Sequence, residues 1–187
     1  ATNLDYNFQL NITNGYPILD GWSHGTSVAG VAAAVGDNNR GVIGVAPEAH
    51  FASWVIFNTN NNTFVDSDAL AKMFQSHLQD VQVQNHSWVK LGNDFTFMSE
   101  AESNAIQRAI TEGRDGKGVI IVRAAGNSRV DGRNANDDAY TADPRAITVA
   151  AVRFDGRTAS YSTPGSPILV STPSGDSGGG FPNLFTT

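Results

Sequence analysis

One histidine stands at the head of a run of small residues, His24-Gly25-Thr26-Ser27-Val28-Ala29-Gly30, followed by a second apolar string, Gly41-Val42-Ile43-Gly44-Val45-Ala46-Pro47. Imidazole exchanges a proton near neutral pH, which suits it to general acid–base work. At the start of a helix built of glycine and alanine the ring can point into a cleft, although a lone histidine before a helix is as readily a core or surface residue. Two serines sit in strings that imitate nucleophile loops: Ser27 in Gly25-Thr26-Ser27-Val28-Ala29, and Ser177 in Gly175-Asp176-Ser177-Gly178-Gly179-Gly180. Ser27 follows His24 too closely on one helix to face it. The Gly and Ser run around Ser177 reads as a flexible surface loop.

Composition narrows the chemistry. The 187 residues are 40% hydrophobic and 16% charged, enough apolar material for one domain with a core and too little charge for a disordered polyelectrolyte. A net charge of −6 without a basic stretch argues against a nucleic-acid partner. With no cysteine, disulfides, thiolate metal sites and cysteine nucleophiles are excluded. The longest apolar runs, such as Gly118 to Val122, are far too short to span a bilayer, so no membrane partner is expected. No repeat or linker divides the chain, and a single domain is expected.

The elements that must position these residues follow from periodicity. His24 to Val35 has the spacing of a buried helix, and Gly36 to Arg40 is a polar loop. His50 to Phe57 and Val81 to Ser87 read as strands; Ser67 to Gln79 reads as an amphipathic helix opened by Asp66 or Ser67. Met98 to Glu112 carries apolar residues at helical spacing and stops at Gly113. Gly118 to Val122 and Ile147 to Val152 are continuous apolar runs suited to a parallel sheet covered on both faces. Strands alternating with helices predict an α/β layered fold, whose sites gather beyond the carboxyl ends of strands. Asn85-His86-Ser87 and Ala124 to Ser128 fall at that edge.

The strings around His24 and Gly41 together closely resemble the subtilase family of serine peptidases. Asp5-Tyr6-Asn7-Phe8, Thr111-Glu112-Gly113-Arg114-Asp115-Gly116-Lys117-Gly118 and Arg123-Ala124-Ala125-Gly126-Asn127 are similar to its kexin branch, and the resemblance runs from Asp5 to about Thr163. It implies a three-layer subtilisin-like α/β fold with a mainly parallel sheet, incomplete at both ends, and a secreted or periplasmic serine endopeptidase acting on proteins or peptides. It makes His24 the general base and Asn127 the oxyanion-hole donor, although Gly-Asn also favours plain turns. Asn85-His86-Ser87-Trp88 matches the family's substrate-binding edge strand, which pairs with an extended peptide, so the resemblance makes Ser87, Trp88, Val89, Ala124, Ala125 and Gly126 substrate-binding residues, although Trp88 could equally be plain core. Tyr161-Ser162-Thr163-Pro164-Gly165 matches a loop of bacterial subtilases.

Three further expectations come from the resemblance. A calcium ion is implied in the loop after the histidine helix, held by the carbonyls of Val35, Arg40 and Val42 and the side chain of Asn38; a solvated loop is the alternative. Asp138 falls where the family places one acid of a pocket for basic side chains, with a solvated loop acid as the alternative; Gly92 stands at the other pocket position, and Arg133 and Thr163 stand where the family's second calcium cluster has carboxylates. The triad's aspartate and serine match no residue here: Asp5 and Asp20 are loop residues by position. The segment alone is therefore expected to be inactive, and a non-catalytic peptide-binding module is the rival reading. The Asn-x-Ser/Thr strings at Asn11, Asn61 and Asn85 would matter only in a eukaryotic secretory route.

Overall fold

The structure, a computed structural model, describes residues 4–16, 23–58, 63–90, 95–176, 180 and 182–187. Asp20, Asn61, Gly92 and Ser177 lie outside the described residues. The chain forms two compact units, Ala1–Ser76 with Phe185–Thr187, and His77–Leu184.

In the first unit β1 (Tyr6–Asn7) pairs in parallel with β2 (Trp54–Val55). The Asp5-Tyr6-Asn7-Phe8 string does local work. Asp5 Oδ1 accepts the Ser53 N–H at 2.8 Å, and Asn7 Oδ1 accepts the N–H groups of Gln9 and Leu10, turning the chain. Phe8 is buried with its ring edge against Trp54. β3 (Phe57–Asn58) and β4 (Thr63–Phe64) form an antiparallel pair. The expected strand at His50 to Phe57 is thus broken into two short pieces.

Helix α1 spans His24–Ala33, two residues short of the expected end, and among its residues only Gly30 is buried. This corrects the expectation of a buried helix. Its small side chains supply little apolar area, and its close contact is made by the chain end: Thr186 Oγ1 donates to the Ser27 carbonyl at 2.7 Å. A Cβ at Gly30 would lie 2.3 Å from Thr187 Oγ1. The second glycine string closes α1. The N–H groups of Gly44, Val45 and Ala46 donate to the carbonyls of Ala34, Val31 and Ala32, which a helix end otherwise leaves unpaired. A Cβ at Gly44 would sit 2.4 Å from the Ala34 nitrogen, so the returning segment needs glycine there. α2 (Ser67–Phe74) is capped by Asp66, whose side chain accepts the Ala69 N–H, and it stops well before Gln79.

The second unit holds a four-stranded sheet, all parallel, in the order β5 (Val83–His86), β6 (Ile120–Ala124), β7 (Ile147–Val152), β8 (Ile168–Pro173). β6 begins two residues later than the apolar run suggests, with Ile120 exposed, so that face is not fully covered. β8 was not expected at all; its residues from Leu169 onward are exposed, and its apolar run stops at Val170. Helix α3 (Glu100–Gly116) opens on a capping box: Ser99 Oγ accepts the Glu102 N–H while Glu102 Oε2 accepts the Ser99 N–H. It buries Ala105, Ile106 and Ala109 at helical spacing. The helical backbone breaks at Gly113, as expected, with Arg114 and Asp115 in the left-handed region. The chain then turns back, the Gly118 N–H donating to the Gly113 carbonyl and the Val119 N–H to that of Ala109.

Candidate active site

Because β5, β6 and β7 are parallel, their carboxyl ends share one edge of the sheet, where an open α/β sheet collects its ligands. Asn127 follows β6 there. The turn that carries it is fixed by Gly126, at φ +100°, whose carbonyl accepts the Thr163 N–H while Thr163 Oγ1 accepts the Ser128 N–H at 2.9 Å. A Cβ on Gly126 would meet that same Oγ1 at 3.0 Å. Thr163 thus braces the loop through hydrogen bonds. Asn127 stands exposed, and its carboxamide has no hydrogen-bond partner among the described residues. The donor is available.

Ser87, Trp88 and Val89 leave β5, which is the end strand of this sheet. Their half-buried segment is held from behind: the Trp88 carbonyl accepts from Arg123 Nη2 at 3.0 Å, and the Lys90 N–H donates to Asp138 Oδ2 at 3.2 Å. Ala124 ends β6, and Ala125 donates its N–H to the Val149 carbonyl, so both are fixed by the sheet. Between the Ser87–Lys90 segment and the Ala125–Ser128 turn a cavity opens, lined by Val89, Gly126, Arg133, Asp137, Asp138 and Thr163 among others.

Behind this cavity lies a buried polar cluster that sequence reasoning missed. Arg123, 2% exposed, stacks 4.1 Å from the Trp88 ring centre and 5.1 Å from that of Tyr140, with Nη2 4.0 Å from Asp138 Oδ1. Its Nε and Nη1 have no hydrogen-bond partner among the described residues. Burial pulls its pKa down to about 10, against the opposing pull of Asp138, Tyr140 and Asp143, so it stays charged at neutral pH. Glu102, fully buried, pairs with Lys90 Nζ at 3.3 Å, and Lys90 also donates to the Tyr140 hydroxyl at 2.8 Å. Burial alone would raise the Glu102 pKa, but hydrogen bonds from Tyr140 and Ser99 and the Lys90 charge hold it below its usual value. Burial, then the Glu102 hydrogen bond and charge, push the Tyr140 hydroxyl well up. The signal for this cluster was a charged residue alternating into an apolar strand, Ile121-Val122-Arg123, which is a buried position in β6.

His86 is structural. It is 3% exposed, with Nε2 3.2 Å from Gln84 Oε1 and Nδ1 accepting from the Trp88 indole at 3.2 Å. Burial, and secondarily the Arg123 charge, hold its pKa well below the ordinary 6.5.

Asp138 is buried and its carboxylate is spent on the protein. Oδ1 accepts the N–H groups of Tyr140 and Thr141, both at 2.9 Å, and Oδ2 accepts that of Lys90. In the first unit, His24 opens α1 and is exposed. In the implied calcium loop, Val35, Asn38 and Arg40 are exposed, and Asn38 Oδ1 accepts the Arg40 N–H at 2.9 Å. The implied donors there, with the Val42 carbonyl, are neutral hard oxygens, which fit calcium in kind. Among the described residues no group of three or more His, Asp or Glu could hold a metal. Nor is any described helix long and apolar enough to cross a membrane.

Residues 4–180 match the profile of the Subtilase family, peptidase S8. The chain is 30% identical over 174 residues to kexin of Saccharomyces cerevisiae, covering 93% of this chain and 21% of that protein. It is 34% identical over 169 residues to the dibasic-processing endoprotease of Yarrowia lipolytica, covering 89% and 17%. In structure it is similar to the serine protease of Aeromonas sobria solved with its chaperone, with a TM-score of 0.79 at 26% identity, over 98% of this chain and 34% of that one. The chain therefore spans about a fifth of the length of the curated relatives it matches.

Proposed function

Because this chain belongs to the subtilase family of serine peptidases, with the three-layer α/β fold of its subtilisin-like relatives, we propose that the protein containing it is a secreted serine endopeptidase of the subtilisin/kexin type. It hydrolyses peptide bonds in proteins or peptides, after basic residues. Support for that last step comes from relatives named as dibasic-processing endoproteases.

His24 takes the proton of the attacking hydroxyl and returns it to the departing amine. The Asn127 carboxamide donates to the oxyanion of the tetrahedral intermediate. Ser87 to Val89 align the substrate backbone, and Ala124 to Gly126 form the facing wall. No residue of this chain is assigned as the nucleophile or as the carboxylate that orients His24. A structural calcium ion at Val35, Asn38, Arg40 and Val42 belongs to the proposal. The observation that carries the reading is Asn127: an exposed carboxamide, without a hydrogen-bond partner among the described residues, on a turn held by Gly126 and Thr163, at the carboxyl end of a central parallel strand.

The test uses the full-length protein, with fluorophosphonate labelling and turnover of fluorogenic peptides. Asn127→Ala is expected to lower kcat by about 100- to 1000-fold with a smaller change in KM. His24→Ala is expected to lower kcat by about 10,000-fold or more. A full-length protein that binds extended peptides but is neither labelled nor active would overturn the endopeptidase reading in favour of a binding module.

A further inference from the structure

Arg123 lies on the buried face of β6, in register with His86 of β5 and Thr148 of β7, and all three residues are buried. Its hydrogen bonding does not offset that burial in full. Nη2 donates to the Trp88 carbonyl at 3.0 Å and stands 4.0 Å from Asp138 Oδ1, while Nε and Nη1 have no hydrogen-bond partner among the described residues. A buried cation with two orphan donors is destabilising, and an apolar side chain in the same slot would avoid that penalty. What the guanidinium does is hold backbone. It lies on the Trp88 ring, 4.1 Å from its centre, with the centre of the Tyr140 ring 5.1 Å away.

Trp88 and Lys90 are tied inward at the two ends of a three-residue stretch. Arg123 takes the Trp88 carbonyl, and Asp138 beside it takes the Lys90 N–H at 3.2 Å. The Lys90 end has further anchors: Thr96 Oγ1 donates to its carbonyl, and its Nζ reaches Glu102 and the Tyr140 hydroxyl. In extended backbone a carbonyl and the N–H two residues on share one side, and the residue between them presents its own N–H and carbonyl to the other. Val89 is that residue. It is half-buried and lines the cavity, and its N–H and carbonyl have no partner among the described residues.

We propose that Arg123 is a positioning residue that acts from inside the fold, fixing the Trp88 backbone so that the Val89 N–H and carbonyl are presented as one preset pair. Affinity for an extended peptide then depends on a buried cation that the peptide never touches. A peptide long enough to lie along Ser87 to Lys90 feels the loss of Arg123, and a single residue with a leaving group does not. The inference rests on the endopeptidase reading above.

The test uses the full-length protein and two fluorogenic amides with the same residue at the scissile bond and the same leaving group. One is a single capped residue, and the other is extended by four residues toward its amino end. In Arg123→Met the ratio of kcat/KM, extended over single, is expected to fall about tenfold and mainly through KM, the weight of one or two backbone hydrogen bonds to the peptide. Arg123→Lys keeps the cation without the planar fork and is expected to fall between that variant and the unaltered protein. It decides by the same ratio if Arg123→Met does not fold. An unchanged ratio in the folded variants would overturn the proposal. So would an equal loss with both amides, which is what a merely less stable fold would give. Failure of the underlying reading looks different: neither amide is turned over and fluorophosphonate labels nothing. Fluorescence anisotropy of a labelled decapeptide then still decides, weaker binding by Arg123→Met supporting the proposal and equal binding overturning it.

Discussion

At the scale of single residues, the cluster behind the cavity is where charge is most expensive. Glu102 is fully buried, and among the described residues its carboxylate is satisfied by Lys90, Tyr140 and Ser99. Removing it leaves Lys90 facing a low-dielectric interior with one partner fewer, so Glu102→Ala is expected to cost about 3–5 kcal/mol in urea unfolding. Adding Lys90→Met should recover part of that loss, because no cation is then stranded. His86 gives a pH signature. Its folded pKa is depressed below 6.5, so only the unfolded chain takes up a proton as pH falls through that value. Stability is then fully present above about pH 6.5 and declines below it, by at most about 1.4 kcal/mol per pH unit for one proton. Unfolding free energies measured from pH 7.5 to 5 should show the slope, and His86→Gln should flatten it. A slope unchanged in that variant would assign the effect to other groups.

At the scale of elements, the strong periodic signals could be read from sequence and the weak ones could not. Ile147 to Val152 forms a strand at the expected bounds, and Gly113 ends the helical backbone where expected. β8 was missed because Ile168–Pro173 is exposed on most of its length and its apolar run, Ile168-Leu169-Val170, is only three residues long before Ser171 and Thr172. α2 ends at Phe74 because the chain leaves the helix through Gln75, a break that no glycine or proline announces. Of the candidate site, the family strings pointed to Asn127, Ser87 to Val89 and Ala124 to Gly126 as expectations. They could not show that Asp138 is committed to Arg123, since that depends on two side chains distant in sequence turning inward together. Gly118 offers an element-scale test. It sits at φ +80°, and a Cβ would lie 2.3 Å from the Ile110 carbonyl oxygen, a backbone atom that cannot swing away. Gly118→Ala is expected to cost about 1–2 kcal/mol from the left-handed backbone alone, with the overlap adding to it. Thermal unfolding would report this as a lowered Tm, and an unchanged Tm would show that the helix-to-strand turn can relax.

At the scale of the whole molecule, the calcium proposal is a statement about stability. An ion that binds the folded loop and not the unfolded chain raises stability by about 2.7 kcal/mol at a hundred times its Kd. Calcium should therefore raise the Tm of the full-length protein and chelation should lower it. Asn38→Ala should blunt that response, because it removes the one side-chain donor of the implied set. If the variant responds as strongly as the unaltered protein, the ion is held elsewhere.

The parallel register of the sheet has a consequence in time. Each pairing of β5 with β6 and of β6 with β7 joins strands separated by a helix or a long loop, as when Val83 meets Ile120 and Val122 meets Ile147. No hairpin can nucleate this sheet, so the chain must lose the entropy of closing large loops before any ladder repays it. Refolding is set by that search, on a scale of milliseconds to seconds or slower. Until it ends, the Arg123 guanidinium has no Asp138 to meet, so the cavity takes its final charge only once the last strands are in register.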